Sequence, residues 1–243
     1  LLDDININTL LSQKNFKILA ISIDNIGNTT RDFDKKKWED LVEKINKFNT
    51  ERSKLNNPVA LDIKTVVLDD EINNLFEIHK FMMEELKADT HSLQLLKGAD
   101  IQHSDLMFDF KEIYEESEAY EYKNFNQLVD QLNLIKEYDK KYNFKTFLHP
   151  SVIDFKQIDK FDSKHLKYLN NKKHIKENFS TCYAPWSSVH INVDGNLFPC
   201  MAVSMGNVKN ESLKKIIFSE KFEKFKKVIK ENGTVNGCNR CGW

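Results

Sequence analysis

The chemistry of this chain is concentrated in four cysteines near its end. They are Cys182, Cys200, Cys238 and Cys241, and the 243-residue chain has no others. Four thiolates gathered at one point bind either a zinc ion or an iron–sulfur cluster. Two disulfides are disfavoured, because a pair such as Cys238-Asn-Arg-Cys241 rarely closes on itself and nothing else in the sequence is typical of a secreted protein.

The spacing of the cysteines leaves zinc and iron–sulfur open. Zinc ribbons usually take their ligands from two close Cys-x-x-Cys pairs, whereas 17 residues separate Cys182 from Cys200. Between these two cysteines, residues 187–193 alternate in polarity, Asp194-Gly195 is a two-residue turn signal, and residues 197–201 predict a return strand. We therefore expect a β-hairpin with one cysteine near each end, completed by the Cys238–Cys241 loop.

The sequence before the cysteines predicts strands that alternate with helices. Apolar β-rich runs indicate strands at 16–23, 59–67, 90–96 and 144–148, and helical spacing of apolar residues indicates helices at 34–50, 72–86 and 125–138. This alternation is typical of parallel βαβ units and predicts the α/β class. The first run is almost continuously apolar, which predicts a strand buried on both faces. After Cys200, Ser212 or Asn210 and then Ser219 are candidate caps of two short helices.

Two polar residues follow the first predicted strand. In α/β barrels the chemistry lies where parallel strands end, so Ser22 and Asp24 are candidate binding residues. The same pair also fits an ordinary turn and helix start, and the stretch alone does not decide. If the first three strands run parallel and side by side, Ser22, Leu68 and Gln94 lie toward one edge of the sheet. Gln94 is a candidate only because of this position.

Composition excludes several classes of function. The net charge is −1, and only Arg31, Arg52 and Arg240 are arginines, so we expect no nucleic-acid partner. No apolar run approaches the ~20 residues of a membrane span, so we expect no membrane partner. Cysteines of thiol type favour a reducing compartment, which predicts a cytoplasmic protein. Because the chain begins with Leu1, we expect a piece of a longer protein.

Three stretches of the chain form one pattern. Ile21-Ser22-Ile23-Asp24 is a Ser-x-Asp strand, Thr65 to Leu68 leads from a second strand into a helix, and Cys182-x12-Gly195-x4-Cys200 is followed by Cys238-x2-Cys241. Together they resemble the radical S-adenosylmethionine enzymes that carry an auxiliary iron–sulfur domain of the SPASM/twitch type. The resemblance is loose up to residue 170 and close from residue 182 onward. A second auxiliary cluster would need further cysteines.

The resemblance implies a fold and a set of ligands. Residues 1–150 would be the C-terminal portion of a partial (β/α)6 TIM-like barrel, 151–180 a connector, and 181–243 a small α+β twitch/SPASM domain. Cys182, Cys200, Cys238 and Cys241 would hold an auxiliary 4Fe–4S cluster. Ser22, Asp24 and Gln94 would meet S-adenosylmethionine, with Ser22 and Asp24 at its nucleoside end.

The resemblance also implies a radical oxidoreductase or modifying enzyme. Its substrate would be a peptide or a small molecule, and a reductase or ferredoxin would donate electrons. The catalytic Cys-x-x-x-Cys-x-x-Cys loop of the family is not in this sequence. A second 4Fe–4S cluster and S-adenosylmethionine are therefore expected only in a full-length protein, and this chain alone should be inactive. The alternative is a non-catalytic binding module with a structural zinc or iron–sulfur site.

Overall fold

The computed structural model describes residues 3–27, 35–55, 59–96, 120–149, 182–200, 203–235 and 238. The described residues up to 95, together with 122–149, belong to one compact unit, and those from 182 onward belong to a second. The predicted connector, 151–180, lies outside the described residues, as does Cys241. No helix in the described ranges has the length and apolar character to cross a membrane.

The first unit contains four strands and four α-helices among its described residues. In chain order they are α1 (Asp4–Ser12), β1 (Ile18–Ser22), α2 (Lys35–Lys54), β2 (Ala60–Val67), α3 (Leu75–Glu84), β3 (Thr90–Leu95), α4 (Phe125–Tyr142) and β4 (Thr146–His149), with a 3-10 helix at Asp69–Asn74 before α3. The strands and helices predicted from the sequence are all present, within a few residues of their expected bounds. Helix α1 was not predicted.

The four strands form one parallel sheet in the order β1-β2-β3-β4. Ile18 to Ser22 align with Ala60 to Lys64, and Asp62 to Val67 align with Thr90 to Leu95. Strand β4 continues the sheet in parallel beside β3. The predicted α/β class and the parallel, neighbouring arrangement of the first three strands are therefore confirmed.

Helices α2 and α3 pack on the same face of this sheet. Leu61 and Ile63 of β2 share one hydrophobic cluster with Phe48 of α2 and Met82 of α3. Because successive side chains of a strand point to opposite faces, Asp62 and its even-numbered neighbours belong to the other face. Crossover helices on one face with strands in sequential order are typical of singly wound α/β sheets, whereas doubly wound sheets cover both faces.

Strand β1 is less buried than its sequence predicts. Ile18, Ala20 and Ser22 are exposed, and only Leu19 and Ile21 are half-buried. The prediction of a strand buried on both faces is therefore wrong for the described residues. The physical reason is that β1 lies at an edge of the described sheet, and its exposed residues lie on the face opposite α2 and α3.

The unpredicted helix α1 completes the core of the first unit. The side chain of Asp3 accepts a hydrogen bond from the Asn6 amide at 2.8 Å and caps the helix. Ile7 and Leu11 are buried in the same cluster as Ile45 of α2. An aspartate cap followed by apolar residues four apart was the sequence signal that could have identified this helix.

The second unit contains a small antiparallel sheet and three helices among its described residues. They are α5 (Ala184–Ser187), β5 (His190–Ile191), β6 (Asn196–Phe198), β7 (Gly206–Asn207), α6 (Leu213–Ile217) and α7 (Glu220–Asn232), and the strand order is β5-β6-β7. Ser212 and Ser219 cap α6 and α7 as predicted. The predicted strand at 187–193 is shorter in the structure, because only His190–Ile191 form β5 and Ser187 still belongs to α5.

The hairpin between β5 and β6 has a three-residue loop. The Asn192 amide donates to the Asn196 carbonyl at 3.0 Å, which leaves residues 193–195 as the loop. Gly195 has φ +89°, a conformation that favours glycine. The predicted two-residue turn is therefore one residue too short, and Gly195 occupies the left-handed position typical of three-residue hairpin loops.

Candidate metal centre and the carboxyl edge of the sheet

Three of the four predicted cluster ligands lie in the described part of the second unit. Cys182 precedes α5, Cys200 follows β6, and Cys238 follows α7. All three are half-buried and pack against one hydrophobic cluster. That cluster consists of Leu197, Val203, Met205, Ile216, Phe222, Phe225, Ile229 and Val235.

Backbone hydrogen bonds tie the first and third of these cysteines to the end of α7. The Cys182 amide donates to the carbonyl of Gly233, the residue that ends α7, with N and O 3.5 Å apart. The Cys238 amide donates to the Val235 carbonyl at 2.8 Å. Cys182 and Cys238 are therefore both attached to residues 233–235, which follow α7, although 55 residues separate the two cysteines in the sequence.

The sulfur of Cys238 is itself a hydrogen-bond acceptor. The Val235 amide lies 3.4 Å from Cys238 Sγ, so each of these two residues donates its backbone amide to the other. Amide donors to cysteine sulfur stabilise a thiolate and tune the reduction potential of an iron–sulfur cluster. The donor set present, three half-buried cysteines on one apolar core, fits a thiolate-bound metal centre. No group of three His, Cys, Asp or Glu side chains within the described ranges is already arranged to hold a metal ion.

The predicted cofactor residues lie toward one edge of the sheet. Ser22 is the last residue of β1 and aligns with Lys64, while Gln94 is the next-to-last residue of β3 and aligns with Val66. Ser22 is exposed and Gln94 half-buried. Asp24 is buried, and its Oδ1 accepts a hydrogen bond from the Val66 amide at 3.0 Å. Leu68 follows β2 at the same edge.

The face of the sheet opposite α2 and α3 carries polar side chains. Asp62 Oδ1 accepts hydrogen bonds from Thr90 Oγ1 at 2.7 Å and from Ser92 Oγ at 2.9 Å. Lys64 lies on this face between Ser22 and Ser92, at the same level of the sheet. A face lined by hydroxyl, carboxylate and ammonium groups is suited to a polar ligand and not to a further apolar layer.

A second polar feature, which the sequence did not reveal, lies under the helix-covered face. His79 of α3 lies between Asp139 of α4 and His91 of β3, with Nε2 2.9 Å from Asp139 Oδ1 and Nδ1 2.9 Å from His91 Nδ1. His91 Nε2 is 2.9 Å from Thr65 Oγ1. Burial, and then the charge of His79, hold the pKa of His91 well below its usual value.

Comparisons with known proteins identify the second unit. Residues 182–242 match the family model of SPASM, an iron-sulfur cluster-binding domain. This range includes all four cysteines, so the resemblance to an auxiliary-cluster domain is confirmed for these residues. No curated protein matches the chain in sequence. Among solved structures, the chain is similar to BtrN in an open conformation, with 15% identity, 90% of this chain and 88% of that chain covered, and a TM-score of 0.23. A TM-score at this level does not bear on the fold.

Proposed function

We propose that this chain is the C-terminal part of a radical S-adenosylmethionine enzyme, in which Cys182, Cys200, Cys238 and Cys241 hold an auxiliary 4Fe–4S cluster. The observation that carries the proposal is the SPASM match, whose range spans all four cysteines. The packing of three of them on one apolar core supports it. The spacing alone left zinc and iron–sulfur open, and the family match favours iron–sulfur.

A cluster ligated by four cysteines exchanges single electrons, so in this protein it would accept an electron from the substrate during a radical oxidation. The residues of the second unit would prepare its surroundings. The hydrophobic cluster that contains Phe222 and Phe225 would keep water away from the side of the cysteines that packs against it. The Val235 amide donates to Cys238 Sγ, which favours the more negative, reduced state of a bound cluster.

The first unit would supply the remaining binding groups. Ser22, Asp24 and Gln94 are proposed as contacts of S-adenosylmethionine at the carboxyl edge of the sheet. The sequential strand order and the helices on one face support a partial barrel, whose inner face would be the polar face that carries Asp62 and Lys64. In this proposal the catalytic cluster loop lies in a part of the protein outside this sequence, and this chain alone does not cleave S-adenosylmethionine.

The proposal extends to partners. The substrate would be a peptide or a small molecule, bound by loops and strand ends that vary freely on such scaffolds. Electrons would come from a reductase or a ferredoxin, and the compartment would be the cytoplasm, where thiols stay reduced. The alternative is a non-catalytic binding module in which the same four cysteines hold structural zinc or a structural iron–sulfur cluster.

Anaerobic reconstitution with iron and sulfide tests the proposal directly. We expect a brown protein with about four irons and four sulfides per chain. Cys200→Ala should lose most of this iron, because it removes a ligand beside β6. Tyr183→Phe is the matched control, since Tyr183 is next to Cys182 and largely exposed, and it should keep full iron content. A colourless protein with one zinc per chain and no iron uptake would overturn the proposal in favour of the zinc module.

A further inference from the structure

The hydrogen-bond donors in the buried group of Thr65, His91, His79 and Asp139 can be assigned from chemistry alone. Thr65 Oγ1 is 2.6 Å from the carbonyl oxygen of Ile23. A carbonyl has no hydrogen to give, so the single hydroxyl hydrogen of Thr65 must point to Ile23. The contact between Thr65 Oγ1 and His91 Nε2 then needs its hydrogen from the histidine. His91 therefore donates from Nε2.

The donor assigned to His91 also determines the donor in its hydrogen bond with His79. A neutral imidazole has one N–H, so His91 Nδ1 is an acceptor and His79 Nδ1 must donate to it. The two ring centroids are 5.2 Å apart and the ring planes differ by 17°. Together with the 2.9 Å between the two Nδ1 atoms, this indicates rings that meet edge to edge, nearly in one plane. Such a contact is a directed N–H···N hydrogen bond.

The last hydrogen lies between His79 Nε2 and Asp139 Oδ1, which are 2.9 Å apart. Since His79 already donates from Nδ1, its Nε2 and the Asp139 carboxyl share one further hydrogen, which either of these two groups can carry. His79 is fully buried and the side chain of Asp139 is 11% exposed. The series of hydrogen bonds thus runs in one direction, from the His79–Asp139 pair through His91 and Thr65 to the carbonyl of Ile23.

The electrostatics agree with this assignment. The pKa of His91 is held low first by burial and then by His79, so His91 stays neutral and its Nδ1 stays an acceptor. Among the described residues, the further titratable groups near the series include Tyr138, whose ring stands edge-on to His79, and Glu84, which accepts from the Tyr138 hydroxyl. From β4 the neighbour of His91 is Thr146, which does not titrate.

The series ends where β1 ends. Thr65 donates to the carbonyl of Ile23, and the next residue of β2, Val66, donates its amide to the carboxylate of Asp24. Two successive residues of β2 therefore hold two successive residues after β1. Both Ile23 and Asp24 are buried, and neither contact is part of the regular backbone pairing between the two strands.

We propose that Asp139, His79, His91 and Thr65 form a positioning relay that sets the placement of the Ile23 carbonyl and the Asp24 carboxylate at the carboxyl edge of the sheet. The relay deepens the proposed function. It rests on that function in one respect only, namely that Asp24 is proposed to contact S-adenosylmethionine. The four relay residues themselves are positioning residues, because they act on the edge of the sheet through Ile23 and Asp24.

The cost of the relay is the argument for its role. Burying polar and ionisable side chains costs free energy of desolvation, and apolar side chains of similar volume usually stabilise a core at least as well. A fully satisfied polar network, in contrast, specifies one geometry and rigidifies the groups at its end. Here each described link is made, and the last link reaches a backbone carbonyl adjacent to a candidate binding residue. A core held together by packing alone would not need a series of hydrogen bonds that all point the same way.

The test compares Thr65→Val with Thr65→Ser in this chain, without cofactor. Valine has the shape of threonine but leaves Ile23 without its donor, whereas serine keeps the hydroxyl. Hydrogen exchange by NMR should show the Val66 amide losing about tenfold protection in Thr65→Val, the loss that one hydrogen bond explains. The reference is the Leu61 amide on the same strand, which donates to Asp89 Oδ2 at 2.7 Å and should keep its protection.

The nitrogen signals of the histidine rings provide the second readout. In the wild type above about pH 6.5, His91 should show a protonated Nε2 and an unprotonated Nδ1, and Thr65→Ser should keep this pattern. Asp139→Asn should also keep it, because an amide N–H can donate to a neutral His79 Nε2 without any charge.

Two results would overturn the relay. One is a protonated Nδ1 on His91 in the wild type, which reverses the direction of the series. The other is an equal loss of protection at Leu61 and Val66 in Thr65→Val, which would mean that Thr65 only stabilises the unit as a whole. Neither measurement involves the cysteines, so failure of the relay leaves the proposed cluster untouched, and failure of iron binding leaves the relay untouched.

Discussion

Asp24 and Val66 are joined by a hydrogen bond from the Val66 amide to Asp24 Oδ1, 3.0 Å long. The regular pairing of β1 with β2 ends just before it, where the Ile23 amide donates to the Lys64 carbonyl at 2.9 Å. The carboxylate of Asp24 therefore takes the place of the next backbone carbonyl and extends the strand pairing by one bond. Asp24 has a structural role whatever ligand the edge of the sheet binds.

This structural role predicts different results for two substitutions of Asp24. Asp24→Asn keeps an oxygen that can accept from the Val66 amide, so the free energy of unfolding should fall by less than it does in Asp24→Ala. Asp24→Ala leaves the buried amide without this acceptor and should cost about 1–3 kcal/mol. Urea unfolding followed by circular dichroism measures both. Equal losses in the two variants would contradict the role of the oxygen.

The buried histidine predicts how stability depends on pH. The pKa of His91 is lowered in the folded state, so the unfolded chain binds more protons than the folded one below about pH 6.5. The free energy of unfolding should therefore fall as the pH falls below that value, by up to about 1.4 kcal/mol per pH unit for this group. The glutamine of His91→Gln cannot titrate. The slope of its free energy of unfolding against pH in the same window should therefore be smaller by the contribution of one proton. Identical slopes would refute the assignment.

The strands and their order could be predicted because they depend on local patterns. Each strand is a short apolar run between helices of regular spacing, and parallel pairing follows from that alternation. The degree of burial of β1 could not be predicted in this way. Ile18 is 59% exposed because burial depends on what covers a face, and a run of apolar residues does not contain that information.

The histidine relay shows a different limit of sequence analysis. His79 fits the apolar side of α3 by spacing alone, and nothing in its neighbourhood marks it as polar. Its partners are His91, 12 residues away, and Asp139, 60 residues away. Such contacts between distant residues arise only when α3, α4 and β3 pack together. The cysteines, in contrast, could be identified because a metal centre needs a rare residue type in a characteristic spacing.

The hairpin loop predicts that Gly195 is more sensitive to substitution than Gly233. Both have positive φ, at +89° and +74°, so an alanine at either position carries the backbone cost of about 1–2 kcal/mol. A Cβ at Gly195 would also lie 2.9 Å from Asn207 Oδ1, whereas one at Gly233 would meet nothing within 4 Å. Gly195→Ala should therefore lose about 1–3 kcal/mol more than Gly233→Ala in urea unfolding. Comparable losses would show that Asn207 moves aside freely.

The hydrogen bond to Cys238 Sγ predicts a change in the potential of a reconstituted cluster. Val235→Pro removes the amide that donates to the sulfur, so the reduced state loses stabilisation and the midpoint potential should become more negative. Val235→Ala keeps the amide while removing most of the buried side chain, and serves as the control for packing. A redox titration monitored by electron paramagnetic resonance measures both. An equal shift of the midpoint potential in both variants would mean that the lost side-chain packing, and not the lost hydrogen bond, causes it.

The order of the four strands has a consequence for synthesis on the ribosome. Because β2, β3 and β4 each join the sheet beside the strand made just before, every new β–α unit can dock on the edge that the growing chain has left open. Among the four described strands, none has to insert between two that are already paired, and none has to wait for a distant partner. The sheet can therefore grow in step with translation, one crossover at a time.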